Sequence, residues 1–272
     1  MTIDEKNVFH DTYLCTSFNV DKYYNAYLEF FFQLIQDVAG NHSYLRSCSI
    51  PQLQKEGRTW VIVRSVLDIF RYPSWPSYVK VETWPMPPNK YNAPRGTYID
   101  SEHGERLAQC FSNWCILDLE HNHRPVRPDF LFDRLPVVNK DADHPMENQI
   151  PKIPFFDDVE EMMVLSEYKP HLVSRDGDYN GHINNIAYLR WILDSLPEDF
   201  LDSHLACHVD ISWLKETHLE DQITLRSGSS DKNAFSSDDA LIHSQILRSE
   251  EDRQVPVCEA TIRWKRREAL GI

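Results

Sequence analysis

The stretch NAYLEFFFQLIQDVAGNHS, residues 25–43, has helical periodicity but is apolar around most of its circumference. Tyr27, Leu28, Phe30, Phe31, Phe32, Leu34, Ile35 and Val38 fill it, and polar Glu29, Gln33, Gln36 and Asp37 share one stripe. Such a helix has to be buried on most sides, so the rest of the chain must supply a wrapping. Gly40 followed by Asn41 reads as its C-terminal cap.

A second helix is predicted in NIAYLRWILDSLP, where Ile186, Leu189, Ile192, Leu193 and Leu196 share a face and Pro197 ends the run. Four strand-like runs follow each helix. After the first come RTWVIVRSVLDIF, SYVKVETWPM, RGTYIDSE and RLAQCFSNWCILDL; after the second come HLACHVDISWL, DQITLRSGS, DALIHSQILRS and VCEATIRWKR. Both helices also carry the tripeptide AYL, at Ala26–Leu28 and Ala187–Leu189. Helix followed by four strands, twice, reads as a duplication. An apolar helix followed by a meander of strands packs by wrapping the sheet around the helix. That is a hotdog unit, and the expected fold is α+β, a double hotdog: two tandem units, each an antiparallel sheet around a central helix. The expected boundaries are 1–128 for the first unit, 129–160 for a Pro-rich acidic linker, and 161–272 for the second.

The chain has 272 residues, 42% of them hydrophobic, so a substantial core can be buried. A formal net charge of −14 argues against a nucleic-acid partner and discourages binding to anionic membranes. Cysteines 15, 48, 110, 115, 207 and 258 form no CxxC or zinc-type spacing, and reduced, mostly buried thiols are expected. No cofactor and no metal are expected. The N-terminus MTIDEKNVFHDTYLC lacks the basic and apolar regions of a signal peptide, and no apolar run approaches the roughly 20 residues of a membrane span. The expected compartment is the cytoplasm.

Short polar residues crowd the entry to the second helix in SRDGDYNGHINN. One of Asn184 and Asn185 is expected to cap the helix, with Asp176 and Gly177 as turn residues. Asp178, Asn180 and His182 stand at i, i+2 and i+4 and, in an extended segment, would project to one side. They would converge beside the partly positive helix N-terminus, which can hold an oxyanion. A carboxylate, an amide and an imidazole there suit hydrolysis of an acyl group. Glu216, read as ending a strand in ISWLKETHLEDQI, is a second candidate. Aligning Leu225 with Val81 sets Tyr72 against Glu216, and offsetting by the AYL repeat sets Ser17, Asn19 and Asp21 against Asp178, Asn180 and His182. The first half then lacks the Asp, the His and the Glu together, suggesting chemistry in the second unit and acyl-chain housing in the first. Phe30, Phe31 and Phe32 are candidates for the wall of an apolar tunnel.

The chain resembles the acyl-acyl-carrier-protein thioesterases, as a bacterial relative of the plant enzymes. The family signature Asp-x-Asn-x-His-x-Asn-Asn stands here as DYNGHINN, continued by YLRWILDSLP, and RTWVIVRSVLDIFRYPSWPSYVKVETWP and RLAQCFSNWCILD agree in the first half. The resemblance implies hydrolysis of the acyl-ACP thioester to free fatty acid and holo-ACP, ending fatty-acid elongation. It carries catalytic roles onto Asp178, Asn180, His182 and Glu216, and implies an acyl carrier protein as partner. Where plant members have a Cys after the Glu, this chain has Thr217, so a thiol nucleophile at that position is not expected. The absence of a plastid-type extension fits a bacterial enzyme. The basic run RWKRRE at 263–268 and Arg124 with Arg127 are candidate docking patches for that acidic partner. A hotdog acyl-CoA thioesterase is the nearest alternative. A hotdog hydratase, with Asp-x-Asn-Pro-x-His, and a non-catalytic acyl-binding hotdog stand further off. A homodimer is left open.

Overall fold

The computed structural model describes residues 1–139, 151, 153–178 and 181–270, and the chain divides into two compact units, Met1–Pro151 and Lys152–Ile272. The first contains β1 (Thr2–Ile3), β2 (Phe9–Cys15), α1 (Leu28–Leu45), α2 (Ile50–Gln54), β3 (Arg58–Ile69), β4 (Ser77–Pro85), β5 (Asn92–Ser101), β6 (Arg106–Asp118) and β7 (Arg124–Val126). The second contains β8 (Met163–Tyr168), α3 (Asn185–Asp194), α4 (Glu198–Ser203), β9 (His204–Trp213), β10 (Ile223–Ser229), β11 (Asp239–Glu250) and β12 (Arg253–Arg266).

Within the first unit the strand order is β1-β2-β4-β5-β6-β3, with β7 added to β6, and within the second it is β8-β10-β11-β12-β9. Every pairing in those two series is antiparallel. The series β2-β4-β5-β6-β3 and β8-β10-β11-β12-β9 are the same topology, each with one strand before the helix and four after it. Both units are hotdogs. The preceding strands β2 and β8 were not expected, because their runs, FHDTYLC and MVLSEY, are too short and mixed to show a period.

Period-two alternation sets the faces of the strands. On β4, Val79, Val81 and Thr83 are buried while Tyr78 and Lys80 are exposed, and α1 lies against β4 and β2. On β10, Ile223, Leu225 and Ser227 point inward, and α3 packs on this strand. Buried hydroxyls pair across the same position in each unit, Thr83 with Thr97 at 3.0 Å and Ser227 with Ser244 at 2.7 Å. The dry sheet face thus satisfies polar groups locally rather than excluding them.

Helix α1 runs past Gly40 and Asn41 to Leu45, so the expected cap lies inside the helix. Its exposed stripe is Gln33, Asp37, Gly40 and Tyr44, which places Gly40 on the solvent side where it does not interrupt packing. Burial of His42 and Ser43 holds the last turn helical against the Gly-Asn signal. The His42 ring stacks on Phe9 at 5.7 Å, with Nε2 3.3 Å from Asn7 Oδ1 and Nδ1 3.2 Å from Nη1 of buried Arg95. Burial, then the positive charges of Arg95 and Arg46, push the His42 pKa down to about 2.

Phe30, Phe31 and Phe32 are all buried, and Phe31 meets Tyr72 edge-on at 5.2 Å. Leu131, Leu135 and Val138 pack into the first unit, while the N–H of Phe156 is bonded to Glu259 in the second. All six cysteines are free thiols, five buried and Cys207 partly so. No helix among the described residues is long and apolar enough to cross a membrane.

A neutral His42 in the folded state has a consequence for acid stability. Below about pH 6.5 the unfolded chain binds a proton that the folded chain refuses, so folding stability falls as pH drops from there toward 2. Urea unfolding at pH 5 and pH 7.5 should show the wild-type chain losing more stability on acidification than His42→Gln, by up to about 1.4 kcal/mol per pH unit.

Candidate active site

The residues before α3 form a tight turn rather than an extended segment. The N–H of Asp178 donates to the carbonyl of His182 at 2.8 Å, and the N–H of Gly181 donates back to the carbonyl of Asp178 at 3.1 Å. Gly181 takes φ +80°, which glycine adopts without a Cβ penalty. Oδ1 of Asp178 accepts the His182 N–H at 3.2 Å, locking the two residues together across the turn. Asp178 and His182 therefore face each other because the chain reverses, not because strand residues alternate. Asn180 lies outside the described residues.

The turn is tied down at both ends. Gly177 and Ile183 form a bridge, the Ile183 N–H donates to the Thr217 carbonyl at 2.7 Å, and the Asn184 N–H donates to the Asp176 carbonyl at 2.7 Å. Asp176 is buried and accepts from Arg190 Nη2 at 2.7 Å, which pins the loop to α3. Its sequence context, RDGD, reads as a turn and hides this ion pair. Asn184 is the N-cap, its Oδ1 accepting the Ile186 N–H at 2.9 Å. Ile183, Asn184, Ile186 and Ala187 all have acceptors for their N–H groups. Among the described residues the Asn185 N–H has no acceptor, which leaves it as a candidate donor to an incoming oxygen.

Glu216 lies in the loop after β9 rather than at the strand end, which is Trp213. Its backbone carbonyl accepts Arg248 Nη1 at 2.7 Å, and Arg248 is itself paired with Glu250 at 2.5 Å. The half-exposed carboxylate brings Oε2 to 3.4 Å from His182 Nε2. Thr217 is fully buried and presents no group to solvent. His218, which sequence reasoning passed over, stands beside them: its ring meets that of His182 at 5.0 Å, and its Nδ1 is 3.3 Å from the Gly181 carbonyl. The available signal was its i+2 spacing from Glu216 in KETH.

The first unit holds the same turn. The Asp21 N–H donates to Asn25 O at 2.8 Å, the Tyr24 N–H to Asp21 O at 3.0 Å, and the Asn25 N–H to Asp21 Oδ1 at 3.0 Å. Tyr24, at φ +65°, occupies the Gly181 position, and Val20 bridges Ala26 as Gly177 bridges Ile183. Asp21 and Asp178 each precede the first helical residue, Leu28 or Asn185, by seven positions. The AYL match is therefore four residues, one helical turn, out of register. The earlier alignment is corrected: the first unit keeps the Asp, as Asp21, and has Asn25 in place of the His. Pro73, whose carbonyl accepts the Ala26 N–H at 2.9 Å, matches Thr217, so buried Tyr72 does match Glu216, and Ser74 matches His218.

The basic run is largely committed to local partners: Arg263 to Asp239 at 2.7 Å, Arg266 to Asp238 at 2.8 Å, and Arg267 to the carbonyls of Asp202 and Leu201. Arg127 pairs with Asp129 at 2.9 Å.

Residues 6–131 match the model of the acyl-ACP thioesterase N-terminal domain, and residues 159–266 match that of the C-terminal domain. Oleoyl-acyl carrier protein thioesterase 2, chloroplastic, of Arabidopsis thaliana is 25% identical over 225 residues, 78% of this chain and 60% of that protein. Palmitoyl-acyl carrier protein thioesterase, chloroplastic, of Cuphea hookeriana is 25% identical over 216 residues, 77% of this chain and 52% of that protein. The chain thus spans between half and two thirds of the length of these relatives. Among solved structures, 12:0-ACP thioesterase from Umbellularia californica superposes with a TM-score of 0.81 at 18% identity, covering 96% of this chain and 98% of that one. An acyl-ACP thioesterase from Bacteroides thetaiotaomicron gives 0.77 at 18% identity, covering 95% and 98%. Both share the fold.

The turn geometry predicts how its Asp residues bear on stability. Asp178→Ala removes the acceptor of the His182 N–H and should cost about 1 kcal/mol in urea unfolding, and Asp21→Ala, which removes the acceptor of both the Tyr23 and the Asn25 N–H, about 1–2 kcal/mol. Asp178→Asn keeps an Oδ1 acceptor and should stay within about 0.5 kcal/mol of wild type.

Proposed function

This chain belongs to the acyl-ACP thioesterase family, and on that premise we propose that it hydrolyses the thioester of acyl-ACP, releasing free fatty acid and holo-ACP and so ending chain elongation. The observation that carries the reading is the His182–Glu216 pair, 3.4 Å apart, joining the turn before α3 to the loop after β9. It stands in the unit that kept the His and the Glu, at the entry of the α3 helix.

In this proposal the thioester carbonyl lies at the N-terminus of α3 with its oxygen toward the Asn185 N–H. Charge developing on that oxygen is stabilised by the donor and by the helix dipole. Asp178, aimed by its bond to the His182 N–H, takes a proton from the attacking water. Glu216 and His182 flank that water, His182 delivers a proton to the departing phosphopantetheine sulfur as the C–S bond breaks, and the proton taken up by Asp178 is passed back to His182. Asn180 keeps the orienting role that the family signature gives it. No side-chain thiol is needed, consistent with buried Thr217 beside Glu216. The partner is an acyl carrier protein bearing an acyl-phosphopantetheine. Because Arg263 and Arg266 are already ion-paired, steering of that acidic partner through them would be weak.

Thiol release from acyl-ACP substrates, with the matching acyl-CoAs alongside, tests the proposal. Strong preference for acyl-ACP supports it; comparable rates on both carriers would make the chain a general acyl thioesterase. Asp178→Asn, which keeps the turn but removes the charge, should lower kcat by about a hundredfold or more. Near-normal turnover in that variant would remove Asp178 from the chemistry and leave it a turn residue.

A further inference from the structure

His182, Glu216 and His218 each offer one donor atom, and the three donors lie within 4.8 Å of one another. No other such group of His, Cys, Asp and Glu is found among the described residues. We propose that these three side chains form a reversible binding site for a zinc-like divalent cation, which on occupation withdraws His182 and Glu216 from catalysis. The binding half stands on geometry alone; the inhibitory half rests on the hydrolase reading above.

The distances suit a tetrahedral ion. Metal–ligand bonds of about 2.0–2.1 Å place neighbouring donors roughly 3.4 Å apart. His182 Nε2 and Glu216 Oε2 already stand at 3.4 Å. The Glu216 side chain is 47% exposed and its backbone carbonyl is held by Arg248, so the carboxylate can adjust without moving the loop. The His218 ring is oriented for the task. Its Nδ1 lies 3.3 Å from the Gly181 carbonyl, and in the tautomer that donates an Nδ1–H there the lone pair is on Nε2. A backbone carbonyl on the far nitrogen is the usual way that a ligand histidine is fixed in its tautomer.

The donor set decides the class of ion. Two imidazoles and one carboxylate suit zinc, cobalt or nickel, whereas calcium and magnesium prefer all-oxygen shells. Three protein ligands with two partly exposed side chains leave a coordination position open to water. The frame is firm, since His182 is held by its turn and the His218 N–H donates to Asp221 Oδ2 at 2.8 Å. In the first unit Asn25, Tyr72 and Ser74 take the three places, so the ligand set belongs to the second unit alone. No bond is made or broken beyond coordination and the release of any proton held by the ligands.

The test uses the whole chain, treated with a chelator and then dialysed. Calorimetric titration with Zn2+ should give one ion per chain with Kd below about 100 µM. Added Co2+ should develop visible absorption bands that Zn2+ bleaches. His218→Ala and Glu216→Gln should each raise the Zn2+ Kd roughly tenfold or more, and His218→Gln serves if the alanine variant misfolds. His10→Ala, at a separate His10–Asp4 contact, should leave it unchanged. Thioester hydrolysis should fall as Zn2+ is added and return with EDTA, with the inhibition midpoint in His218→Ala raised by the same factor as its Kd. No stoichiometric binding, or equal affinities in the wild-type, His218 and Glu216 proteins, would overturn the site. Stoichiometric Zn2+ binding that these variants weaken, in a chain hydrolysing no thioester even without metal, would uphold the site and overturn the hydrolase reading alone.

Discussion

The hydrogen bond from the His182 N–H to the Asp178 carboxylate is the contact on which the candidate site depends. It closes the turn whose reversal sets Asp178 opposite His182, and the turn in turn fixes where the imidazole can point. Two further constraints finish the placement. The Ile183 N–H is bound to the Thr217 carbonyl, so the loop carrying Glu216 and His218 is stitched directly to the residue after His182. The Asp176–Arg190 pair then holds the loop against α3. Donors contributed by two distant parts of the chain are brought within a few ångströms by backbone bonds, leaving their side chains to do chemistry.

The same turn in the first unit shows which of its features the fold uses twice. Asp21 repeats the backbone-bonding role of Asp178, so the carboxylate at this position serves the turn in both units of this chain. Asn25 and Tyr72, at the places of His182 and Glu216, are buried, and Tyr72 packs against Phe31 in the core. One unit filled the position with packing and the other left it open to solvent. The two units thus differ by two ionisable side chains on the same backbone frame.

Much of this was legible in the sequence because burial writes itself as periodicity. The two helices, the eight strands after them and the duplication all follow from apolar patterning, and DYNGHINN marked the loop that brings Asp178 and His182 together. What escaped notice has physical causes. Strands β2 and β8 are short and pair mainly through the backbone. The extent of α1 was set by the buried His42, which outweighed a local Gly-Asn stop signal. The turn geometry at 178–182 is a product of hydrogen bonds that side-chain spacing cannot reveal, and so the period-two argument reached the right neighbours by the wrong route. The AYL repeat misled the alignment by one helical turn, concealing Asp21 as the partner of Asp178. His218 went unread because nothing in its local sequence shows that Gly181 lies across from it.

The proposed hydrolysis requires His182 and Glu216 to act as one unit. A double-mutant cycle on acyl-ACP turnover, with His182→Ala, Glu216→Gln and the combined variant, measures this directly. The account predicts that the double variant is no slower than the slower single one, because removing either partner already disables the pair. Rate losses that multiply would show two groups acting independently, and would contradict it.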